Sequence, residues 1–230
     1  MKGCKGIRAV IFDIDDTLFD TTTLVNKARM NAVNAMVESG LALKSKLVYN
    51  SLMKAVAKYG VNYDQHFDRL LELLGHEYDP KIIAAGIVAY HDAELTYLKP
   101  DPDALPTLIA LKEKGYRIGI VSNGKSVKQW EKMIRLGLHQ IPDVVVISEE
   151  VGFEKPDARI FQVALNNLKL KPGEAAYVGD TIATDVLGAN TAGLFSILLT
   201  KRGREERTVT KGEIPKATIE RISELLSILQ

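Results

Sequence analysis

Two aspartates set two residues apart, Asp13 and Asp15, stand in the stretch Asp13-Ile14-Asp15-Asp16-Thr17, directly after the apolar run Val10-Ile11-Phe12. In extended backbone, residues two apart face the same way. Both carboxylates can then point into one crevice at a strand end. Neighbouring carboxylates repel unless a cation joins them or one keeps its proton. Acids crowded in this way call for a metal ion, for proton transfer, or for both. The competing account is a turn rich in aspartate leading into a helix cap.

Three further stretches belong beside this one. Ser122-Asn123-Gly124 follows Gly119-Ile120-Val121 and can offer a hydroxyl and backbone N–H groups to an oxyanion, although the same residues also make an ordinary turn. Lys155, in Glu154-Lys155-Pro156-Asp157, can reach a phosphate as a point charge. Pro156 reads as the first residue of the helix that follows. Gly179-Asp180-Thr181-Ile182-Ala183-Thr184-Asp185 supplies two more carboxylates, Asp180 at a strand tip and Asp185 near the start of the next helix. A helix cap or first-turn acid would serve as well at Asp185.

Asp13, Asp15, Ser122, Lys155 and Asp180 do chemistry together only if one sheet edge collects them. Five short runs rich in Val and Ile predict strands: 8–13, 116–122, 143–148, 175–179 and 195–200. They are continuously apolar, as in a parallel sheet covered on both faces. Helical stretches precede the last four, at 106–114, 127–136, 156–168 and 185–192. Alternating strands and helices imply a doubly wound, Rossmann-like α/β core, which binds ligands beyond the carboxyl ends of its strands. Between the first two strands lie four amphipathic stretches, 22–38, 45–59, 63–74 and 80–98, able to bury their stripes as a small helical bundle. In the second, Leu47, Val48, Leu52, Val56 and Tyr59 share a face; in the third, Phe67, Leu70, Leu71 and Leu74 do. Lys99-Pro100-Asp101-Pro102-Asp103 has the extended bias of a hinge. The expected organisation is a core from 1–18 and 99–230 with a helical insert at 19–98. A short helix over 217–230, with Ile219, Ile222, Leu225, Leu226 and Leu229 as its stripe, and a solvated loop at 201–207 complete the reading.

Composition narrows the chemistry. Lys and Arg total 30 against 29 for Asp and Glu, a formal charge of +1, which gives no reason to expect nucleic acid or an anionic membrane as partner. No apolar run approaches the roughly 20 residues that span a bilayer. The single cysteine, Cys4, cannot form an internal disulfide, and without a secretory signal the expected setting is cytoplasmic. His66, His76, His91 and His139 are scattered, no pair has ligand spacing, and there is no CxxC, all of which counts against zinc. Hard oxygen donors without histidine suit Mg²⁺ together with water and a phosphate. The constellation points to phosphoryl transfer, where positioning and charge neutralisation supply most of the catalysis.

In these four motifs, in this order, the chain resembles the haloacid dehalogenase superfamily, on its phosphatase branch. The likeness covers nearly the whole chain, and the insert resembles the helical cap of the first type. It implies that Asp13 attacks phosphorus to form an aspartyl-phosphate and that Asp15 acts as acid and then base. Mg²⁺ would be held by the Asp13 carboxylate, the Asp15 carbonyl and the Asp180 carboxylate. Ser122, Lys155 and backbone N–H near Asn123 would bind the phosphoryl group. Asp185 would act beside the metal, Thr17 would steady the first loop, and the cap would close over the site. Relatives that cleave carbon–halogen bonds lack an acid at the second position of the first motif, so Asp15 disfavours that reaction. Asp16 stands where many members carry glycine or asparagine.

The resemblance implies a small-molecule phosphomonoester as substrate. A monomer or a homodimer is expected as the acting form, with no one feature of the sequence choosing between them. A phosphosugar mutase would use the same aspartyl-phosphate. A receiver-like signalling domain is disfavoured by the insert and by a lysine that precedes the Asp180 strand. Tyr49, Lys54, Lys58 and Tyr59 are candidate substrate-facing residues of the insert, with bundle packing as their other explanation.

Overall fold

The computed structural model describes residues 6–200 and 210–229. The chain folds as two compact units, Met1–Asp20 with Lys99–Gln230, and Thr21–Leu98. The first is an α/β unit. Among the described residues its strands are β1 (Ala9–Phe12), β2 (Arg117–Ser122), β3 (Val144–Ile147), β4 (Ala175–Gly179), β5 (Phe195–Leu199) and β6 (Ala217–Ile219). They form one sheet in the order β3-β2-β1-β4-β5-β6, and every neighbouring pair is parallel. The chain winds from β1 to β3 on one side and then crosses to β4 on the other. The order therefore reverses at β1, which makes its carboxyl end the place where a crevice opens. Register aligns the strand ends there: Phe12 pairs with Ile120 of β2 and Val178 of β4.

The apolar continuity of the strands has its expected cause. All four β1 residues are fully buried, so no face of that strand needs polar side chains. The helix Ala158–Leu168 packs Ile160, Phe161, Ala164, Leu165 and Leu168 against Ile11, Val121, Val144, Val146 and Tyr177. The Ile, Leu, Val and Phe side chains among them each contribute roughly 1.5–3 kcal/mol when fully buried. That helix does not begin at Pro156, as the sequence suggests. Asp157 is its cap, accepting from the Arg159 backbone N–H at 2.9 Å, and Lys155-Pro156 stands before it as a cis peptide. An aspartate that can satisfy an orphan N–H outcompetes the N-terminal preference of proline.

The C-terminal segment also differs from expectation. Ala217–Ile219 is a strand, not the first turn of a helix; only Leu225–Ile228 is α-helical, after a short 3₁₀ turn at Ile222–Glu224. The exposed edge of β5 decides this. The Ser196 carbonyl accepts from Lys216 N–H at 3.0 Å, and Thr200 N–H donates to the Ile219 carbonyl at 2.8 Å. Most of the expected stripe is buried, at Ile219, Ile222, Leu225 and Leu229, while Leu226 is half-buried. The 201–207 stretch lies outside the described residues.

The second unit has four helices: α1 (Thr21–Glu38), α2 (Ser45–Tyr59), α3 (His66–Leu73) and α4 (Pro80–Tyr97). Val33 and Met36 of α1, Val48, Leu52 and Val56 of α2, Leu70 and Leu71 of α3, and Ile82 and Ile83 of α4 share its core. Leu47 and Tyr59, placed on the same stripe by spacing, are instead exposed. Asp79 caps α4, its Oδ1 accepting from Lys81 and Ile82 N–H at 2.9 and 3.2 Å, with Pro80 in the first turn. Gly86 allows close approach: a Cβ there would lie 2.9 Å from Met36 Cγ. Tyr49 packs against this core, and Tyr59 stacks on Tyr63 with Lys58 over its ring. Among the described residues no helix is long and apolar enough to cross a membrane.

Candidate active site

Asp13 is the first residue beyond β1. Its N–H donates to the Val178 carbonyl at 2.9 Å, continuing the β1–β4 ladder and fixing where the side chain emerges. Lys155, 33 residues of chain beyond Ser122 and from another strand's connection, meets it there. The Lys155 Nζ lies 2.7 Å from Asp13 Oδ1 and 2.7 Å from Asp185 Oδ1, and it donates to the Tyr177 hydroxyl at 3.0 Å. Its side chain is 3% exposed. Asp185 Oδ2 accepts from Thr181 N–H at 2.9 Å. Asp13, Asp180 and Asp185 each bring a carboxylate oxygen within 4.8 Å of the others.

These contacts set the electrostatics. Burial away from water is the main cause that lifts Asp13 from 3.8 to about 7; Lys155 works against it, and Asp185 and Asp15 work with it. Burial pulls the other way on Lys155, but Asp13 and Asp185 outweigh it and hold the ammonium above its ordinary range. Tyr177 is raised well above 10, first by burial and then by Asp185, so it stays a neutral phenol. When all three are ionised, the carboxylates carry two more charges than the one ammonium among them can match. That is a hard, oxygen-only, over-anionic donor set of the kind a divalent cation suits.

Asp15 lies at the same end of the sheet, in contact with α6 (Ser126–Arg135), which follows a fifth helix, α5, at Ala104–Glu113. Lys132 Nζ stands 2.7 and 2.9 Å from the two Asp15 oxygens, and Gln129 Nε2 donates to Oδ2 at 2.9 Å. Gln129 also donates to Ser122 Oγ and to the Asn123 carbonyl, each at 2.8 Å. The Asn123 side chain turns to Lys155 instead of to the crevice. Its Oδ1 accepts from Lys155 N–H at 2.8 Å and its Nδ2 donates to the Lys155 carbonyl at 3.1 Å. It thus clamps the backbone that carries the lysine. Thr17 is buried, and its hydroxyl has no hydrogen-bond partner among the described residues. Asp16 adopts φ 56°, the left-handed region, which explains why glycine and asparagine are at home at such a position.

The structure brings Asp13, Asp15, Ser122, Asn123, Lys155, Asp180 and Asp185 to the carboxyl end of one sheet. Sequence reasoning passed over Gln129, Lys132 and Tyr177. For Gln129 a signal existed: it sits four residues before buried Met133, a polar residue on the apolar face of an amphipathic helix. Tyr177 lies inside a strand that reads as core throughout, and Lys132 reads as a surface residue.

Gly179 is required by this crowding. A Cβ there would fall 2.4 Å from Asp185 Cγ and 2.6 Å from its Oδ2. The Gly179→Ala variant must therefore push Asp185 off Lys155 and Thr181. Its expected cost is about 1–3 kcal/mol of stability and roughly 10²-fold in turnover, read from thermal melts and phosphate release. Near wild-type activity would show that Asp185 can move without consequence.

Comparison with known proteins agrees with the geometry. Residues 7–193 match the model of the haloacid dehalogenase-like hydrolases. Glyceraldehyde 3-phosphate phosphatase of Methanopyrus kandleri is 45% identical over 97% of both chains. The enzyme of that name from Methanothermobacter thermautotrophicus is 44% identical over 97% of this chain and all of its own. Among solved structures, a phosphatase of this superfamily from Thermococcus onnurineus superposes with a TM-score of 0.71 at 25% identity, covering 97% of this chain and 98% of its own. A fold wound so that its strand ends collect these acids, and kinship at this level along nearly the full length, place the chain among the haloacid dehalogenase-like hydrolases, on their phosphatase branch.

Proposed function

We propose that the chain is a magnesium-dependent phosphatase that hydrolyses a short phosphorylated aldehyde, glyceraldehyde 3-phosphate foremost, through an aspartyl-phosphate on Asp13. The observation that carries the chemistry is the buried Lys155, bonded to Asp13 and Asp185 with Asp180 beside them. The names of the full-length relatives support the substrate.

In this reading an Asp13 carboxylate oxygen forms a bond to phosphorus as the bond to the leaving alcohol breaks. Asp15 gives its proton to the departing oxygen and then takes one from the water that cleaves the aspartyl-phosphate. Lys155 and Ser122 bind phosphoryl oxygens. Asn123 and Asp185 hold Lys155 in place, and Thr17 packs the first loop. Asp13, Asp180 and the Asp15 carbonyl would hold Mg²⁺, with Asp185 beside them; when bound, the ion neutralises charge on the transferring group. The helical unit is the cap and chooses the substrate. A cytoplasmic setting goes with a phosphorylated metabolite and a single cysteine.

Phosphate release from glyceraldehyde 3-phosphate, corrected for the rate without protein, is expected with Mg²⁺ and should exceed release from ribulose bisphosphate and from sugar phosphates. Excess chelator is expected to lower it by at least roughly 10²-fold, and added Mg²⁺ to restore it. Full activity in chelator would overturn the metal's role. Preference for another monophosphate would overturn the substrate, and sugar-phosphate isomerisation without phosphate release would point to a mutase.

A further inference from the structure

The acid Asp15 is held by a helix that no motif of the sequence includes. Gln129 and Lys132 lie three residues apart on α6, so their side chains neighbour one another on its surface. Lys132 Nζ contacts both Asp15 oxygens, at 2.7 and 2.9 Å, and Gln129 Nε2 contacts Oδ2 at 2.9 Å. Gln129 is 2% exposed. Its nitrogen faces three acceptors, Asp15, Ser122 Oγ and the Asn123 carbonyl, while its Oε1 is buried with no hydrogen-bond partner. Rotating the amide would set its oxygen against the carboxylate and the Asn123 carbonyl, so its direction is fixed. The Lys132 and Asp15 side chains are 29% and 31% exposed, which leaves the carboxylate open to a ligand. Lys132 also lies over the Phe19 ring, 5.8 Å from its centre.

We infer that Lys132 and Gln129 are positioning residues that hold the Asp15 carboxyl group in the rotamer from which, once protonated, it gives its proton to the leaving oxygen. The inference rests on Asp15 being the acid and base of the proposed reaction. An aspartate on a loop has two free side-chain torsions. Two donors from one helix, aimed at both oxygens, select one setting of them. Proton transfer needs heavy atoms within about 2.6–3.2 Å, and a displacement of about 1 Å can cost ~10²-fold. Direct binding of substrate by Lys132 is the rival role, and it predicts a change in KM in place of kcat.

The test compares leaving groups. An alkoxide, as from glyceraldehyde 3-phosphate, needs the proton of Asp15 to depart; p-nitrophenolate does not. First-turnover rates are measured with Mg²⁺ on the full chain for wild type, Lys132→Met, Lys132→Arg and Asp15→Asn. For Lys132→Met the alkyl phosphate is expected to slow by ~30-fold or more, while the first-turnover release of nitrophenolate changes by less than ~3-fold and KM by less than ~3-fold. Lys132→Arg, which keeps a positive donor able to reach both oxygens, should recover most of the loss. Asp15→Asn should show the same contrast, larger. Equal slowing on both substrates, or a rise in KM alone, in Lys132→Met would overturn the positioning role while leaving Asp15 its own. Absence of the contrast in Asp15→Asn would overturn the role of Asp15 and this inference with it.

Discussion

Asparagine in place of Asp13 is expected to abolish phosphate release, by roughly 10⁴-fold or more, with little loss of fold. The amide cannot form the aspartyl-phosphate, and losing a nucleophile removes the route itself instead of weakening one contact. The fold should survive because burial already disfavours a charge at this position: Asp13 stands at about 7 instead of 3.8. The sign of the linkage follows. A carboxyl raised on folding stabilises the folded chain at low pH, and that contribution is lost as pH rises through about 7. In chelator, the stability of Asp13→Asn relative to wild type is therefore expected to rise between about pH 4 and pH 7. Mg²⁺ should stabilise wild type more than the variant at pH 8, since it binds the native carboxylates. Melting curves with and without Mg²⁺ at several pH values, beside a phosphate-release assay, check both halves. Turnover surviving the substitution would sink the covalent mechanism.

Lys155→Met is expected to cost both activity and fold. Its ammonium stands 2.7 Å from each of two buried carboxylates. Removing one partner of a buried ionic cluster leaves charge with no counterpart, at a cost of about 3–5 kcal/mol. For a chain of this size that lowers the melting temperature by on the order of 10 °C. Adding Asp185→Asn should recover much of the stability, because it removes the repulsion left behind, but none of the turnover, because the phosphoryl group still lacks its cation. A single variant that melts like wild type would mean that the cluster relaxes or takes up protons readily. A double variant that regains activity would remove Lys155 from the reaction.

How much of this was readable in advance differs from residue to residue. Asp13, Asp15, Ser122 and Asp180 follow apolar runs that end in turns, so both their strands and their place at the strand ends could be read from local pattern. The helix Ser45–Tyr59 was marked by the apolar spacing of Val48, Leu52 and Val56, and Ser126–Arg135 by its place between two strand-like runs. The β6 strand was not, because Ala217–Ile219 has no pattern of its own and becomes a strand only by pairing with the edge of β5. The misplaced helix start at Pro156 was a competition between two local preferences that only the Asp157 cap could settle.

Residue types and local pattern specify the chemical inventory and the layer plan: oxygen acids, one hydroxyl and one lysine, carried at strand ends of a parallel α/β sheet. Those are local properties, set by residue type and by apolar period. Tertiary structure decided which of these groups touch. It placed Lys155 on Asp13 and Asp185, turned Asn123 toward the Lys155 backbone, and brought Gln129 and Lys132 from α6 to Asp15. The physical reason is that the contact between Lys132 and Asp15 joins residues 117 positions apart in the chain. No local preference encodes such a contact; it exists only once the sheet order and the burial of the helices have closed the distance.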